Sequence, residues 1–365
     1  MLSNCDLYRI WRERLKQLLE GMPYQRYRLA NMVMLVVGLY KARSVYLNII
    51  ARQVPLRVQK LSIARRLRRF LANPAIRAGE IYQSTAKQLI AAASSGGMVR
   101  LIIDATKVSA RHQLVMVAIA YRRRALPLAW AWVNRCRGHS TVTLQLRLLQ
   151  TIWLLIPPTV AVSLVGDAEF GNARLMHQLD IWGWTYVLRQ RSSLRLMPYR
   201  SVKRFQLKQF PLRPGDLVYL GRSEVTAEAY TTNLVLYWAR HEQKPWLLAT
   251  NLPSPHGALR LYRHRMWIEE MFGDMKGHGF DLELTRLGSP DRLSRLTLLV
   301  CLVYLWLVAM GEYVLSHDFV VEVDRRNRRD LSIFRLGWDF IARRLALDDP
   351  LPAVFVPLLA KVSGC

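Results

Sequence analysis

The sequence predicts an α/β fold: a mixed, partly parallel sheet with flanking helices, interrupted by a β-strand insertion and preceded by an all-helical N-terminal domain. Three observations carry that prediction. Between residues 99 and 188, short apolar runs that close on polar residues alternate with runs of helical periodicity. From about 195 to 252 the pattern changes to short β segments separated by turns. The first 95 residues are patterned as helices and close on Ala92-Ala93-Ser94-Ser95-Gly96-Gly97, whose composition reads as a linker.

Taken in order, Val99 to Asp104 is an apolar strand that ends in a carboxylate. Leu114 to Ala120 and Leu126 to Val133 continue as a meander around the basic turn Arg122-Arg123-Arg124. Thr141 to Ile156 has helical spacing, and Val160 to Val165 is a buried-type strand closing on Gly166-Asp167. Asn172 to Leu179 is predicted helical and Thr185 to Leu188 a strand. The insertion contributes Leu217 to Leu220, Glu224 to Tyr230, Asn233 to Tyr237 and Trp246 to Thr250. Helices resume near Gly257 and run to about Ser316. The expected domains are 1–95 (helical, basic), 96–195 (first part of the core), 196–255 (insertion), 256–316 (rest of the core) and 317–365 (a C-terminal region for dimerisation).

Composition narrows the function. The chain has 365 residues, a formal net charge of +27 and a pI near 10.6, which points to a polyanion partner, most often nucleic acid. Up to Glu80 there are 16 Lys and Arg against 4 Asp and Glu, densest at Arg65, Arg66, Arg68 and Arg69. At 52% hydrophobic the chain can build a large core without staples. Cys5, Cys136, Cys301 and Cys365 are scattered, which argues against a zinc site or a disulfide framework and for a reducing interior. The N-terminus has no early apolar run, so a secretory signal is not expected. Leu296 to Met310 is apolar but shorter than a bilayer span and closely bounded by Arg292, Arg295 and Glu312, so a buried core helix is expected, and no membrane partner. Asp324 to Asp330 reads as a solvated charge run, and His139 and His177, without second ligands at useful spacing, read as structural.

The most informative stretch runs from Tyr262 to Lys276. Tyr262, Arg265, Glu269 and Lys276 lie at offsets of 3, 7 and 14 from the first. At about 100° per residue they share one helical stripe. A phenol, a guanidinium, a carboxylate and an ammonium on one stripe suit phosphate and a divalent metal and make poor core. Ile268, Met271 and Met275 take the opposite, inward face. Asp104 and Asp167 both end apolar strands, at the sheet end where ligands collect in α/β folds. If those strands are adjacent and parallel, the two carboxylates lie side by side and call for a cation between them. With Glu269 they make an all-oxygen set suited to Mg²⁺ or Mn²⁺, and two such ions can clamp the attacking and leaving oxygens of a phosphodiester displacement.

These residues resemble bacterial insertion-sequence transposases of the DDE type, and within them the IS-four type branch marked by a Y-R-E-K signature and a β-strand insertion before the final Glu. Tyr262-x-x-Arg265-x-x-x-Glu269-x-x-x-x-x-x-Lys276 matches that signature at every spacing, Asp104 in Ile103-Asp104-Ala105-Thr106 resembles the first catalytic Asp, and Asp167 in Gly166-Asp167-Ala168-Glu169-Phe170 the second. The resemblance covers residues 99 to 300. It implies a ribonuclease H-like core and metal-dependent attack on DNA with two Mg²⁺ (or Mn²⁺) ions. Water nicks an element end, the freed 3′-hydroxyl attacks the opposite strand to give a hairpin, and the reopened end joins target DNA. It implies that Tyr262, Arg265 and Lys276 hold phosphates. It also implies that a Trp of the insertion supports a flipped base; Trp246 in Lys244-Pro245-Trp246-Leu247 is the candidate, with Trp238 and Trp267 as rivals. Its link to Tyr262 is shorter than the family's. Arg65, Arg66, Arg68 and Arg69 are expected to engage the terminal inverted repeats in double-stranded DNA. A homodimer on DNA and a cytoplasmic, nucleoid-associated location follow as family expectations. The alternatives are a metal-dependent nuclease or resolvase without strand transfer and a non-catalytic basic DNA-binding protein.

Overall fold

The computed structural model describes residues 2–22, 26–134, 140–198, 203–225, 229–325 and 328–359, without the side chains of 2–5. Cys5 (side chain), Cys136, Cys365, His139, and Arg326 and Asn327 of the charge run lie outside what is described. In chain order the helices are α1 (Leu2–Leu18), α2 (Arg26–Ala42), α3 (Leu47–Gln53), α4 (Lys60–Ala72), α5 (Ala78–Ser94), α6 (Val142–Trp153), α7 (Ala173–Ile181), α8 (Pro255–Tyr262), α9 (Met266–Met275), α10 (Pro290–Ser316) and α11 (Ile333–Leu347). The strands are β1 (Met98–Lys107), β2 (His112–Tyr121), β3 (Arg124–Asn134), β4 (Ala161–Gly166), β5 (Thr185–Arg189), β6 (Arg195–Pro198), β7 (Phe205–Gln206), β8 (Leu217–Val225), β9 (Tyr230–Tyr237) and β10 (Trp246–Thr250). The chain divides into two compact units, one of residues 93–107 and 113–270, the other of 1–92, 108–112 and 271–365.

The first unit is built on one ten-stranded sheet in the order β3-β2-β1-β4-β5-β10-β9-β8-β6-β7. β2 runs antiparallel to β1, while β1, β4 and β5 are mutually parallel. This mixed five-strand order is a ribonuclease H-like core. β2 is buried along nearly its whole length, as expected of an apolar strand covered on both faces. The insertion extends the same sheet: β10 pairs antiparallel with β5 through Leu248↔Arg189 and Thr250↔Val187, and β9 with β10 through Trp246↔Tyr237. Of the expected strand Glu224 to Tyr230, residues 226–228 lie outside the description, and the two ends belong to different, antiparallel strands, β8 extending through Val225 and β9 starting at Tyr230. β6 and β7, too short to leave an alternation in the sequence, complete the far edge. Capping fixes the helix starts: Thr141, Asn172 and Ser254 accept from the backbone N–H of Leu144, Leu175 and Gly257, and Pro255 opens α8.

The second unit is helical. α10 is, among the described residues, the single helix long and apolar enough to cross a bilayer, but 89% of its apolar window is buried, and it packs on α2, α4 and α11. The run Leu296 to Met310 is thus the spine of this unit. α11, which the sequence reading left unassigned, crosses α10 at two glycines. A Cβ on Gly311 would lie 1.8 Å from the Ile333 carbonyl oxygen, and one on Gly337 would lie 1.9 Å from that of Leu307. Arg295 is buried in α10 and donates Nε to the Ile76 carbonyl (2.9 Å) and Nη1 to that of Leu71 (3.0 Å), satisfying a carbonyl in the last turn of α4 and one just past that helix. Cys301 is a buried free thiol in the same helix.

Candidate active site

Two catalytic candidates are set by strand register. Ile103↔Gly166 is the last parallel pair of β1 and β4, so Asp104 is the next residue along β1, which continues to Lys107 rather than ending at the acid, and Asp167 is the first residue past β4. The Asp167 loop folds down onto the end of β5: a Cβ on Gly171 would stand 2.2 Å from the Arg189 carbonyl oxygen, so only glycine fits there. Glu169 pins that loop sideways, accepting from the Ser140 backbone N–H at 2.6 Å and from Gln113 Nε2 at 3.2 Å.

The third carboxylate arrives from the other end of the unit. Arg265 Nη1 lies 3.0 Å from Asp104 Oδ2 and 2.6 Å from Glu269 Oε1, so one nitrogen joins the two acids. The backbone there is not one continuous helix. α8 ends at Tyr262, residues 263–265 form a tight 3₁₀ turn, and α9 starts at Met266. That turn buries Tyr262 and Arg265 and leaves Glu269 half open at the start of α9. Ile268, Met271 and Met275 are fully buried, as the stripe required.

Burial pushes the Asp104 carboxyl up to about 7; the Arg265 charge and the Ala105 N–H oppose this, and Asp167 and Glu269 add to it. For Arg265, burial works against the charge, but Tyr262, Asp104 and Glu269 outweigh it and hold the guanidinium protonated. The Tyr262 phenol is pushed up to about 12, chiefly by burial. Its hydroxyl and Arg265 Nε are both buried without a hydrogen-bond partner among the described residues. Two donors therefore stand beside the carboxylates with no acceptor.

The family's sequence model for the Transposase DDE domain matches residues 95–306. The chain belongs to the DDE transposase family. Its matched stretch contains Asp104, Asp167 and Glu269, and transposases of this family cut and join DNA. Among solved structures, the transposase chain resembles the piggyBac transposase in its cryo-EM synaptic complex with hairpin DNA, at 11% identity over 95% of this chain and 80% of that one, with a TM-score of 0.42. No curated protein matches it.

Within the transposase core the structure brings Asp104, Asp167, Glu269, Arg265, Tyr262 and Trp246 into one neighbourhood. Trp246 is half buried and packs edge-on against Tyr262 (5.1 Å) and Tyr237 (5.8 Å). Trp267 packs on His264 at 4.5 Å, and Trp238 donates to the Glu242 carbonyl at 2.8 Å. Lys276 lies past the end of α9, in the helical unit, where it pairs with Glu283 at 2.9 Å. On α4, Arg65, Arg68 and Arg69 are exposed, whereas Arg66 turns its Nε to Asn31 at 2.7 Å.

Two residues of this transposase site were not anticipated from sequence. Glu169 is one. Arg189 is the other: it ends β5 and stands 3.8 Å from Asp167. A cavity of about 650 Å³ opens between them and the insertion, lined by Asp167, Arg189, Arg191, Lys208, Trp238 and Lys244 among others. A basic residue closing a buried strand was the signal for Arg189, parallel to Asp167, which follows the end of β4.

Proposed function

We propose that this protein is an insertion-sequence transposase of the Y-R-E-K branch. It binds the terminal inverted repeats of its element, cuts each end in a metal-dependent reaction, passes through a hairpin intermediate and joins the freed 3′ end to target DNA. The observation that carries this reading is the register of Asp104 and Asp167 on adjacent parallel strands, with Arg265 tying Glu269 to the first of them.

The residues suit Mg²⁺ or Mn²⁺. The three acids offer oxygen alone, the donor such hard cations take. Asp104 is buried beside two further acids, an arrangement that a cation relieves. No three acidic or histidine side chains among the described residues converge as they stand; the Arg265 guanidinium lies between Asp104 and Glu269. A pair of bound ions would activate the attacking oxygen and stabilise the leaving one.

The protein's own groups do the rest. Arg265 turns from the carboxylates to fork onto a DNA phosphate, and the Tyr262 hydroxyl donates to the same phosphate. This exchange frees Asp104 and Glu269 as the DNA arrives. Trp246, wedged between two tyrosines, offers a ring to a base displaced at the hairpin bend. Arg65, Arg68 and Arg69 contact phosphates of the repeat, so binding falls with salt. Lys276 serves as a further phosphate contact, and the protein works as a dimer on DNA.

Glu269→Gln tests the reading. Purified protein, Mg²⁺ and duplexes from the two boundaries of the gene are incubated together. Wild type yields hairpins and joined products; Glu269→Gln binds equally and cuts nothing. Cutting without hairpins or joining indicates a plain nuclease, and undiminished cutting by the variant removes Glu269 from the chemistry.

A further inference from the structure

We infer that Arg122 and Arg123, at the tip of the β2–β3 hairpin, form a DNA-backbone contact about six base pairs from the phosphate cut at Asp104. This rests on the DNA-cleaving function proposed above and extends it to residues outside the signature.

The first observation is strain. β2 ends at Tyr121 and β3 starts at Arg124, so the hairpin turns on two residues. Both are left-handed, Arg122 at φ 44° and Arg123 at φ 63°. Positive φ at both central positions makes the turn whose twist fits a hairpin, and Asn-Gly is the pair that adopts it readily. A side chain with a Cβ is disfavoured there. Two consecutive arginines are a poor choice for folding, and disfavoured backbone that persists is a mark of function.

The second observation is how the strain is held. The Arg124 side chain is only 11% exposed. It donates to the Arg123 carbonyl at 2.9 Å and pairs with Glu270 at 3.2 Å, next to Glu269. One buried arginine thus braces the turn against the helix that carries the catalytic acid. Arg122 and Arg123 themselves are exposed, and neither has an acidic partner among the described residues. Arg122 only lies over the Tyr121 ring, at 5.8 Å. The turn therefore presents two uncompensated guanidinium groups on a fixed mount.

The third observation is distance. Asp104 pairs with Met116, six residues before Arg122 on β2. At about 3.4 Å per residue the tip lies roughly 20 Å from that register point. Successive base pairs are also spaced by about 3.4 Å, so a duplex seated at Asp104 offers phosphates at that reach some six pairs away.

The test uses two double variants of the full chain. Arg122→Asn with Arg123→Gly relieves the strain and removes the charge. Arg122→Gln with Arg123→Gln removes the charge and keeps the strain. Affinity for a duplex from the gene boundary is measured in EDTA across a salt series, alongside thermal melting. Both variants should bind more weakly, with the slope of log affinity against log salt shallower by about two. The Asn-Gly variant should also melt a few degrees higher than wild type. Unchanged affinity and slope in either variant overturns the inference. A lower melting temperature for Asn-Gly overturns the strain argument beneath it. Failure of the wild type to bind DNA at all refutes the proposed function instead, and the two results are distinct.

Discussion

Replacing Asp104 with Asn isolates the cost of a buried charge at the centre of the site. The Asp104 carboxyl is pushed from 3.8 to about 7, first by burial and then by Asp167 and Glu269, against the pull of Arg265 and the Ala105 N–H. An acid raised on folding favours the folded state while it is protonated. That contribution is complete below about pH 4 and is lost as pH rises through about 7. At about 1.36 kcal/mol per pKa unit the loss reaches roughly 4 kcal/mol. Arg265 shifts the opposite way, toward keeping its charge, but it retains Glu269 when Asp104 is neutral, so the Asp104 direction governs. Urea unfolding without divalent ions, at pH 4 and pH 8, reads the difference. Asp104→Asn should match wild type at pH 4 and be more stable at pH 8 by up to about 4 kcal/mol. Added Mg²⁺ should stabilise wild type and leave the variant unmoved, because a ligand that binds only the folded protein raises its stability. A variant less stable than wild type at pH 8 refutes this reasoning: the Arg265 attraction would then exceed the cost of burial.

Three further outcomes are expected. Tyr262→Phe removes a buried hydroxyl that has no partner, so the protein should unfold at equal or slightly higher urea, by about 1 kcal/mol, while cleavage of element ends falls; a clear loss of stability contradicts this. Gly337→Ala drives a methyl into the Leu307 carbonyl, forcing α10 and α11 apart. With overpacking at about 3 kcal/mol and 2–4 °C per kcal/mol, scanning calorimetry should show a drop of roughly 10 °C. Trp246→Ala should keep nicking and lose hairpin product by about 1–3 kcal/mol of stacking; equal loss of both, with a lower melting temperature, assigns Trp246 to packing against Tyr237 and Tyr262 alone.

The acids were legible in the sequence because each adjoins an apolar pattern: Asp104 follows the buried run Leu101-Ile102-Ile103 within β1, Asp167 follows the last residue of β4, and Glu269 sits opposite Ile268, Met271 and Met275 on its helix. Periodicity and apolar runs survive in sequence because burial imposes them. The turn at 263–265 was not legible, since a 3₁₀ turn shifts the phase of a helical stripe without changing which residues are apolar. Glu169 and Arg189 were missed because their partners, Ser140, Gln113 and Asp167, are distant in the chain. Arg66 looks like its neighbours in the basic cluster; only the position of Asn31 separates it. α11 was missed because Gly337 in its second turn depresses helical propensity, a loss that close crossing with α10 offsets.

The ladder between β5 and β10 has a mechanical consequence. Thr250 and Leu248 are hydrogen-bonded neighbours of Val187 and Arg189, and Trp246 lies only two residues beyond Leu248 on that strand. The inserted strands are therefore not a hinged flap that could swing an aromatic ring toward a substrate. Moving Trp246 far would mean unzipping backbone from the strand that carries Arg189. Any bend or unstacking needed for the ring to meet a base falls on the nucleic acid, which must deform to fit a rigid surface.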